Sequence, residues 1–310
     1  MSRVRIATRG SALALAQSGA VAHALEAALG CETELVPLVT SGDRLADASL
    51  AKVGGKGLFV KEIEEALLDG RADLAVHSAK DLPAQVHPGL ALAAFPRRAD
   101  PRDALVARSR WAMLLELWKG VRVGTGSAWR ASQLRALRPD VEVVPLRGNV
   151  DTRLRRLVER ELDAVLLVCA GLERLGLADM IQERIDLALI LPAVGQSTLA
   201  LQTRAGDALE AAVRVLDDAT TRACLAAERA FLVALEGDCN VPLAALAEAG
   251  ADGRLRLRGL VASADGAALA RSEQWAPLAD AALAGRRAAD EVRAAGGAEI
   301  LAALRAELAK

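Results

Sequence analysis

The chain has 310 residues, enough for two or three domains and a sizeable core. Its 39 basic and 40 acidic residues nearly cancel, and 2% of residues are aromatic with no Tyr, which speaks against a broad basic face or an aromatic stacking platform for nucleic acid. Four scattered Cys without a C-x-x-C pair and only three His speak against a zinc site or a disulfide framework; no apolar run is expected to span a membrane, and "MSRVRIATRGS" enters a strand with no secretory signal, so a cytoplasmic protein is expected.

The N-terminal part alternates strand-like and helix-like runs. "VRIAT" precedes an Ala/Leu-rich helix from Ser11 to Leu29, and "TELVPLVT" precedes a helix from Gly57 to Asp69. "ADLAVHS" and "LALAAF" follow as strands, and this rhythm predicts a parallel-rich α/β sheet. "FPRRADPRDALV", with two prolines and clustered charge, reads as a crossover. The rhythm restarts with "VRVGT", a helix from Ser127 to Leu137, "VEVVPL", a helix from Val150 to Leu162, and "AVLLVCAGL". "LPAVGQ" and "TLALQT" lead to a long helix from about Asp207. From about Thr220 the pattern changes to a helix from Ala223 to Leu235, the loop "EGDCNVP", two or three alternating strands turning at "ADG", and a closing helix from about Asp280. The division predicted is a discontinuous first lobe (1–97 and 197–216), a second lobe (102–192) and a small C-terminal α+β domain (220–310).

"VRIATRGSALALAQ" and "VRVGTGSAWRASQ" are nearly the same phrase. Each is a strand, a Thr/Gly/Ser turn and a helix start, an arrangement that aims free backbone N–H groups and the positive end of a helix dipole outward. Ser11 and Ser127 are placed to cap or to donate, and Arg9 and Arg130 add positive charge. A helix cap with no ligand explains one copy equally simply; two copies point to a divided anion site. In "LRGNVDTRLRRL", Arg147 stands at a strand end where α/β sheets bind ligands, and Arg153 lies one turn into the next helix. "KVGGKGLFVKE" lacks the phosphate-loop pattern and reads as a Gly-rich loop carrying Lys52 and Lys56. "AVHSAKDLP" brings Lys80 and Asp81 to a strand end; spacing alone does not separate a surface ion pair from an acid/base carboxylate. Cys169 and Cys224 read as buried apolar cysteines, whereas Cys239 sits in the polar loop "LEGDCNVP" and reads as a covalent attachment point.

The ordered set "ATRGSALALAQ", "LAKVGGKGLFVKEIEEALLDGRADLAVHSAKDLP", "DPRDALV", "LRGNVDTRL", "AGLERLGL", "LPAVGQ" and "LEGDCNVP" closely resembles the hydroxymethylbilane synthase (porphobilinogen deaminase) family over nearly the whole chain. The resemblance implies an α/β fold: two βα lobes of the type II periplasmic-binding-protein kind around a cleft, plus the C-terminal α+β domain. It implies a monomeric transferase of tetrapyrrole and haem biosynthesis that joins four porphobilinogens head to tail with release of ammonia. It also implies a dipyrromethane cofactor held by a thioether to Cys239. The resemblance places Asp81 and Lys80 in catalysis, Asp81 stabilising positive charge on the pyrrole nitrogens and shuttling protons. Arg9, Ser11, Lys80, Asp81, Thr125, Ser127, Arg130, Arg147, Gly148, Asn149 and Arg153 would bind the cofactor. Arg9, Gln17, Arg147, Arg153, Arg174 and Gln196 would bind substrate. Lys56 and Phe59 would belong to a lid loop.

The chain departs from the family pattern in places. "GTGSAWRASQ" stands where "GTSSLRRQ" is usual, so Trp129 replaces the first of two arginines; Gly126 and Ala128 replace Ser and Leu. Ser197 replaces a Gly, Gln202 a Glu, and Asp238 and Asn240 flank the cysteine where Gly and Gln are common. Losing a charge-assisted bond costs about 1.5–3 kcal/mol, so a weakened carboxylate clamp is expected, and restoring arginine at position 129 is expected to raise activity. The alternative reading is a non-catalytic member binding a small anion; intact Asp81, Lys80, Arg147, Arg153 and Cys239 favour the enzyme.

Overall fold

The computed structural model describes residues 3–44, 60–109, 113–237 and 241–308. Lys52, Lys56, Phe59, Asp238, Cys239 and Asn240 lie outside the described residues. In chain order the first elements are β1 (Arg3–Arg9), α1 (Ala12–Leu29), β2 (Glu32–Leu38), α2 (Ser41–Arg44), α3 (Lys61–Leu68), β3 (Leu74–Ser78) and β4 (Leu90–Ala94). Next come β5 (Asp103–Ala107), β6 (Arg122–Thr125), α4 (Ala128–Leu137), β7 (Glu142–Pro145), α5 (Val150–Val158), β8 (Ala164–Val168), α6 (Cys169–Arg174) and β9 (Glu183–Arg184). The remainder is β10 (Leu199–Arg204), α7 (Ala208–Ala212), α8 (Ala219–Ala234), β11 (Leu243–Ala249), β12 (Arg254–Ala262), β13 (Leu269–Pro277), α9 (Ala281–Val292) and α10 (Ala298–Leu308).

The chain divides into two compact units, residues 1–99 with 197–222, and residues 100–196 with 223–310. The first unit holds a five-stranded sheet in the order β2-β1-β3-β10-β4; β1 runs parallel to β2 and β3, and β10 is antiparallel to both its neighbours. The second unit holds a sheet in the order β7-β6-β8-β5-β9, with β6 parallel to β7 and β8, and β5 antiparallel to β8 and β9. It also carries the antiparallel sheet β11-β12-β13. Both large sheets are therefore mixed, and "DPRDALV" is not only a crossover but contains a sheet strand.

The repeated phrase occupies equivalent places, since β1 lies between β2 and β3 as β6 lies between β7 and β8. The equivalence extends to side chains. Asp73 receives the backbone N–H of Arg5 at 3.0 Å, and Asp163 receives that of Arg122 at 2.9 Å. Each aspartate pins the start of one parallel strand, β3 or β8, to its neighbour, β1 or β6.

Helix α1 follows from its local chemistry. Ser11 caps it by accepting the Ala14 N–H, and Gly30 ends it at φ 62°, a left-handed backbone that glycine adopts without strain. Contrary to expectation, α1 is long and apolar enough to cross a membrane by length and composition. Its Val21, Ala22 and Leu25 pack with Val4 and Ile6 of β1 and Leu74 and Val76 of β3, the pattern of a core helix.

The helix expected from Asp207 is broken. After α7 and the 3₁₀ turn Val213–Leu216 the backbone extends at Asp217. The Asp217 carboxylate accepts from Phe95 N and from Arg222, and Asp218 accepts the Thr221 N–H in the first turn of α8. These aspartates compete with the helix for hydrogen bonds. The C-terminal helix is likewise interrupted, at Ala295 and Gly296, where Gly296 has φ 96°.

Behind β3 a polar chain crosses the core of the first unit. The His77 Nε2–H donates to Gln202 Oε1 at 2.9 Å, and Gln202 Nε2 donates to Glu64 Oε1 at 2.9 Å. Burial pushes the His77 imidazole down to about 4, against the smaller upward pull of the Gln202 hydrogen bond and of Asp81. The unfolded imidazole titrates near 6.5, so between these values the unfolded chain binds more protons, and stability falls as pH falls. The contribution amounts to about 2 kcal/mol between pH 7 and pH 5. A His77→Gln variant is expected to lack this component. Urea unfolding at both pH values measures it, and an equal loss in wild type and variant would contradict the assignment.

Candidate functional site

The expected site residues cluster at the carboxyl ends of parallel strands, where α/β sheets take ligands. In the first unit Arg9 and Ser11 follow β1, and the 3₁₀ turn Ala79–Asp81 follows β3. Ala79 and Leu82 are buried and anchor that turn; the Ala79 N–H is held by Thr198 O at 2.9 Å. Between these anchors Lys80 is half-buried and Asp81 is exposed. Asp81 makes no hydrogen bond or ion pair among the described residues. Gln17 is buried one turn into α1.

In the second unit Thr125 and Ser127 follow β6, Arg147 to Asn149 follow β7, and α6 with Arg174 follows β8. Thr125 Oγ1 accepts the Ser127 N–H at 3.3 Å. Ser127 precedes α4 but makes no side-chain cap, which leaves its hydroxyl and the first-turn N–H groups for another acceptor. Ser11 does the reverse and caps its own helix. The two copies of the phrase thus differ in chemistry at the same position.

Asn149 caps α5 by accepting the Thr152 N–H, and Gly148 sits at φ 99°, where an added Cβ would lie 2.7 Å from Thr152. This fixes the turn and sets Arg147 before it and Arg153 after it. Arg153 Nε donates to Gly148 O at 2.8 Å, which orients its guanidinium. Arg147 is half-buried and has neither an acid partner nor a hydrogen bond among the described residues. A part-desolvated guanidinium without a counter-charge is costly alone and favourable with a bound anion. Burial lowers the Arg174 guanidinium from its ordinary value, with Glu173 opposing.

Arg130 and Gln196 are placed differently from expectation. The Arg130 side chain is 2% exposed. Its Nε and Nη2 grip both oxygens of Asp103 at 2.8 and 2.7 Å, and Nη1 donates to Leu166 O at 3.2 Å. Gln196 Nε2 donates to Asp103 Oδ1 at 2.6 Å and to Pro101 O at 2.8 Å, and its Oε1 receives Arg130 Nη2 at 3.3 Å. Both side chains hold the second unit together and are not presented to a ligand. The sequence reading missed Asp103; its one signal was a carboxylate opening the otherwise apolar strand "DALVA".

Cys31, Cys169 and Cys224 are buried and unbridged. Burial, with Asp100 nearby, pushes the Cys169 thiol up to about 12, so it stays protonated.

Two sequence profiles match the chain. One describes a porphobilinogen deaminase, dipyromethane cofactor binding domain, and covers residues 4–211; the other describes a porphobilinogen deaminase C-terminal domain, and covers residues 222–294. The chain belongs to the porphobilinogen deaminase family. It is 51% identical over 275 residues to a porphobilinogen deaminase of Sorangium cellulosum, covering 88% of this chain and 91% of the relative. It is 49% identical over 306 residues to one of Syntrophotalea carbinolica, covering 98% and 96%. Solved structures that resemble the chain include a distant one. The substrate binding domain 2 of Lactococcus lactis GlnP has a TM-score of 0.42 at 11% identity, covering 68% of this chain and 85% of that one.

Against the porphobilinogen deaminase pattern, two departures acquire a physical meaning. Ser197 stands where glycine is usual and adopts φ 68°, a conformation that glycine takes without strain. Trp129 does not face outward as a failed clamp. It packs against Leu191, Ala244, Leu246 and Leu260, with Leu187 and Leu269, and so joins α4 to the C-terminal sheet. Its Nε1–H is buried and has no acceptor among the described residues, so the indole acts here through its apolar area. The expectation that arginine at 129 raises activity is therefore revised. Trp129→Arg is expected to destabilise the protein by about 3 kcal/mol or more, because it loses this packing and buries a charge. Chemical denaturation measures the effect, and unchanged stability with raised activity would restore the clamp reading.

Proposed function

We propose that this chain joins four porphobilinogen molecules head to tail, with loss of ammonia at each step, to give hydroxymethylbilane on a dipyrromethane primer attached through Cys239. The observation that carries this reading is Arg147, a half-buried cation with no counter-charge among the described residues, near the start of α4, where Ser127 makes no side-chain cap. Pyrroles of this class carry an acetate and a propionate each. The donors at the ends of β6 and β7 fit such a polyacid: the Arg147 guanidinium, the Ser127 hydroxyl, and the Arg153 guanidinium, whose Nε is held by Gly148 O. Ser127, Arg147, Gly148, Asn149 and Arg153 would hold the primer from the second unit, and Arg9, Ser11 and Lys80 would bind carboxylates from the first. When bound, the primer supplies the pyrrole carbon at which the chain grows.

Asp81 supplies the chemistry that the second unit lacks. In the repeat, Ala79 corresponds to Cys169, since each donates its N–H to a carbonyl of the neighbouring chain, Thr198 O or Arg102 O. Asp81 then corresponds to Gly171. An exposed carboxylate on an anchored turn accepts a pyrrole N–H, stabilises positive charge that develops on that nitrogen as ammonia leaves, and takes up or returns a proton. Lys80 pairs with a substrate carboxylate. Gln17 and Arg174 extend substrate binding, and Lys56 and Phe59 form a lid. Arg130 and Gln196 act indirectly, by fixing the start of α4.

The three sheets correspond to three domains in this reading, and the chain acts as a cytoplasmic monomer whose partner is its small-molecule substrate. The near-balanced charge supports the exclusion of nucleic acid and of an acidic membrane surface.

Intact-protein mass spectrometry after supply of porphobilinogen tests the proposal. Wild type is expected to carry an increment of two porphobilinogen residues, and Cys239→Ala none. Asp81→Asn is expected to keep the increment while turnover falls by at least ~100-fold, the usual range for loss of an acid/base group. A bare polypeptide mass in wild type would overturn the enzyme reading. Full turnover in Asp81→Asn would remove Asp81 from the mechanism.

A further inference from the structure

A second cationic site lies away from the residues assigned to the pyrrole chain. The strand β12 alternates: Leu255 and Leu257 enter the core beneath α9 and α10, and Arg256 and Arg258 take the opposite face. On β13, Glu273 lies opposite Arg258 and Arg271 opposite Leu260. Arg256, Arg258, Arg271 and Glu273 therefore share one face of the sheet. Such a face is ordinarily a solvated charged surface. Here Gln133 of α4 and the segment from Leu187 to Leu191 stand beside it, within the same unit, and bound a half-open pocket of about 390 Å³. Cavities of roughly this size are typical of small-molecule sites.

The charges lining the cavity do not cancel. Glu273, the acid in its wall, is taken by Arg256 at 2.9 and 2.7 Å and by the Trp275 indole N–H at 3.1 Å. Arg258 donates Nη2 to Glu248 at 2.7 Å and Nη1 to Leu187 O at 3.3 Å, and its Nε–H is buried with no acceptor among the described residues. Arg271 makes no ion pair or hydrogen bond among the described residues. Beside these cations the lining is apolar, with Leu260 on the same sheet face and Leu187 and Leu191 from the covering segment. We propose that this cavity binds a small organic dianion: two acid groups on a compact apolar body, the acids meeting Arg271 and Arg258 and the body covering the leucines. An anion there would supply the counter-charge that the wall lacks, and the apolar side favours an organic body over a fully hydrated ion.

Calorimetric titration of the full-length protein with phthalate, benzoate and inorganic phosphate tests the proposal. Phthalate is expected to bind at least ~10-fold more tightly than either comparison anion, since it alone offers both acids and a ring. Arg271→Ala removes the cation, and Ala188→Trp fills the cavity with its charges intact. Both positions are exposed, so both variants are expected to fold and to consume porphobilinogen as wild type does. Each is expected to weaken phthalate at least ~10-fold. Absence of phthalate binding at millimolar concentration would overturn the proposal. So would phosphate or benzoate binding as tightly as phthalate, or retention of phthalate binding by either variant.

Discussion

The second unit is organised around one buried carboxylate. Asp103 opens β5, the first strand the chain adds to the second sheet, where it lies between β8 and the edge strand β9. Arg130 from α4 takes both of its oxygens, and Gln196 from "LPAVGQ" takes one of them again. Three segments distant in sequence are thereby fixed to one point. An isolated buried carboxylate or guanidinium would be strongly disfavoured, and each partner makes the burial of the other tolerable. The start of α4 inherits its position from this pair, and with it the uncapped Ser127 and the neighbouring turn that carries Arg147.

The internal repeat explains how two sheets came to present similar strand ends, and the differences between copies show how their work divides. Asp73 and Asp163 perform the same backbone clasp, so both sheets are built alike at that point. The chemistry then separates. The first copy ends in Lys80 and Asp81 on an anchored turn; the second places Ala170 and Gly171 there. Among the described residues, the second copy carries Arg147 with no acid partner, and the first carries the Asp81 carboxylate with no hydrogen bond or ion pair.

Much of this was legible in the sequence because strand, turn and helix start are local. "VRIATRGS" and "VRVGTGS" announce their β–turn–α form through β-branched residues, Gly and Ser, and the helix cap at Ser11 and the turn at Gly148 follow the same local rules. The roles of the arginines were not legible. Arg130 and Arg147 look equivalent as cations at strand and helix ends, and they differ only in whether an acid arrives from elsewhere in the chain. Asp103, 27 residues away from Arg130, decides it. Trp129 was misread for the same reason, since its partners in β11 and β12 belong to a sheet formed much later in the sequence. The breaks at Asp217 and Gly296 were hidden because helix periodicity continues through them while side-chain competition and a left-handed backbone end the helix.

The central claim is that the Arg130 charge belongs to the fold and the Arg147 charge to the ligand. A double-mutant cycle on Asp103 and Arg130, read by urea unfolding beside the KM for porphobilinogen, tests it most directly. Asp103→Leu and Arg130→Met are each expected to destabilise by about 3–5 kcal/mol, and the double variant by much less than their sum, because each single change strands a buried charge. Arg147→Met is expected to leave stability within about 0.5 kcal/mol and to raise KM instead. Unchanged stability in Arg130→Met, together with a raised KM, would show that Arg130 meets the substrate and would contradict the account.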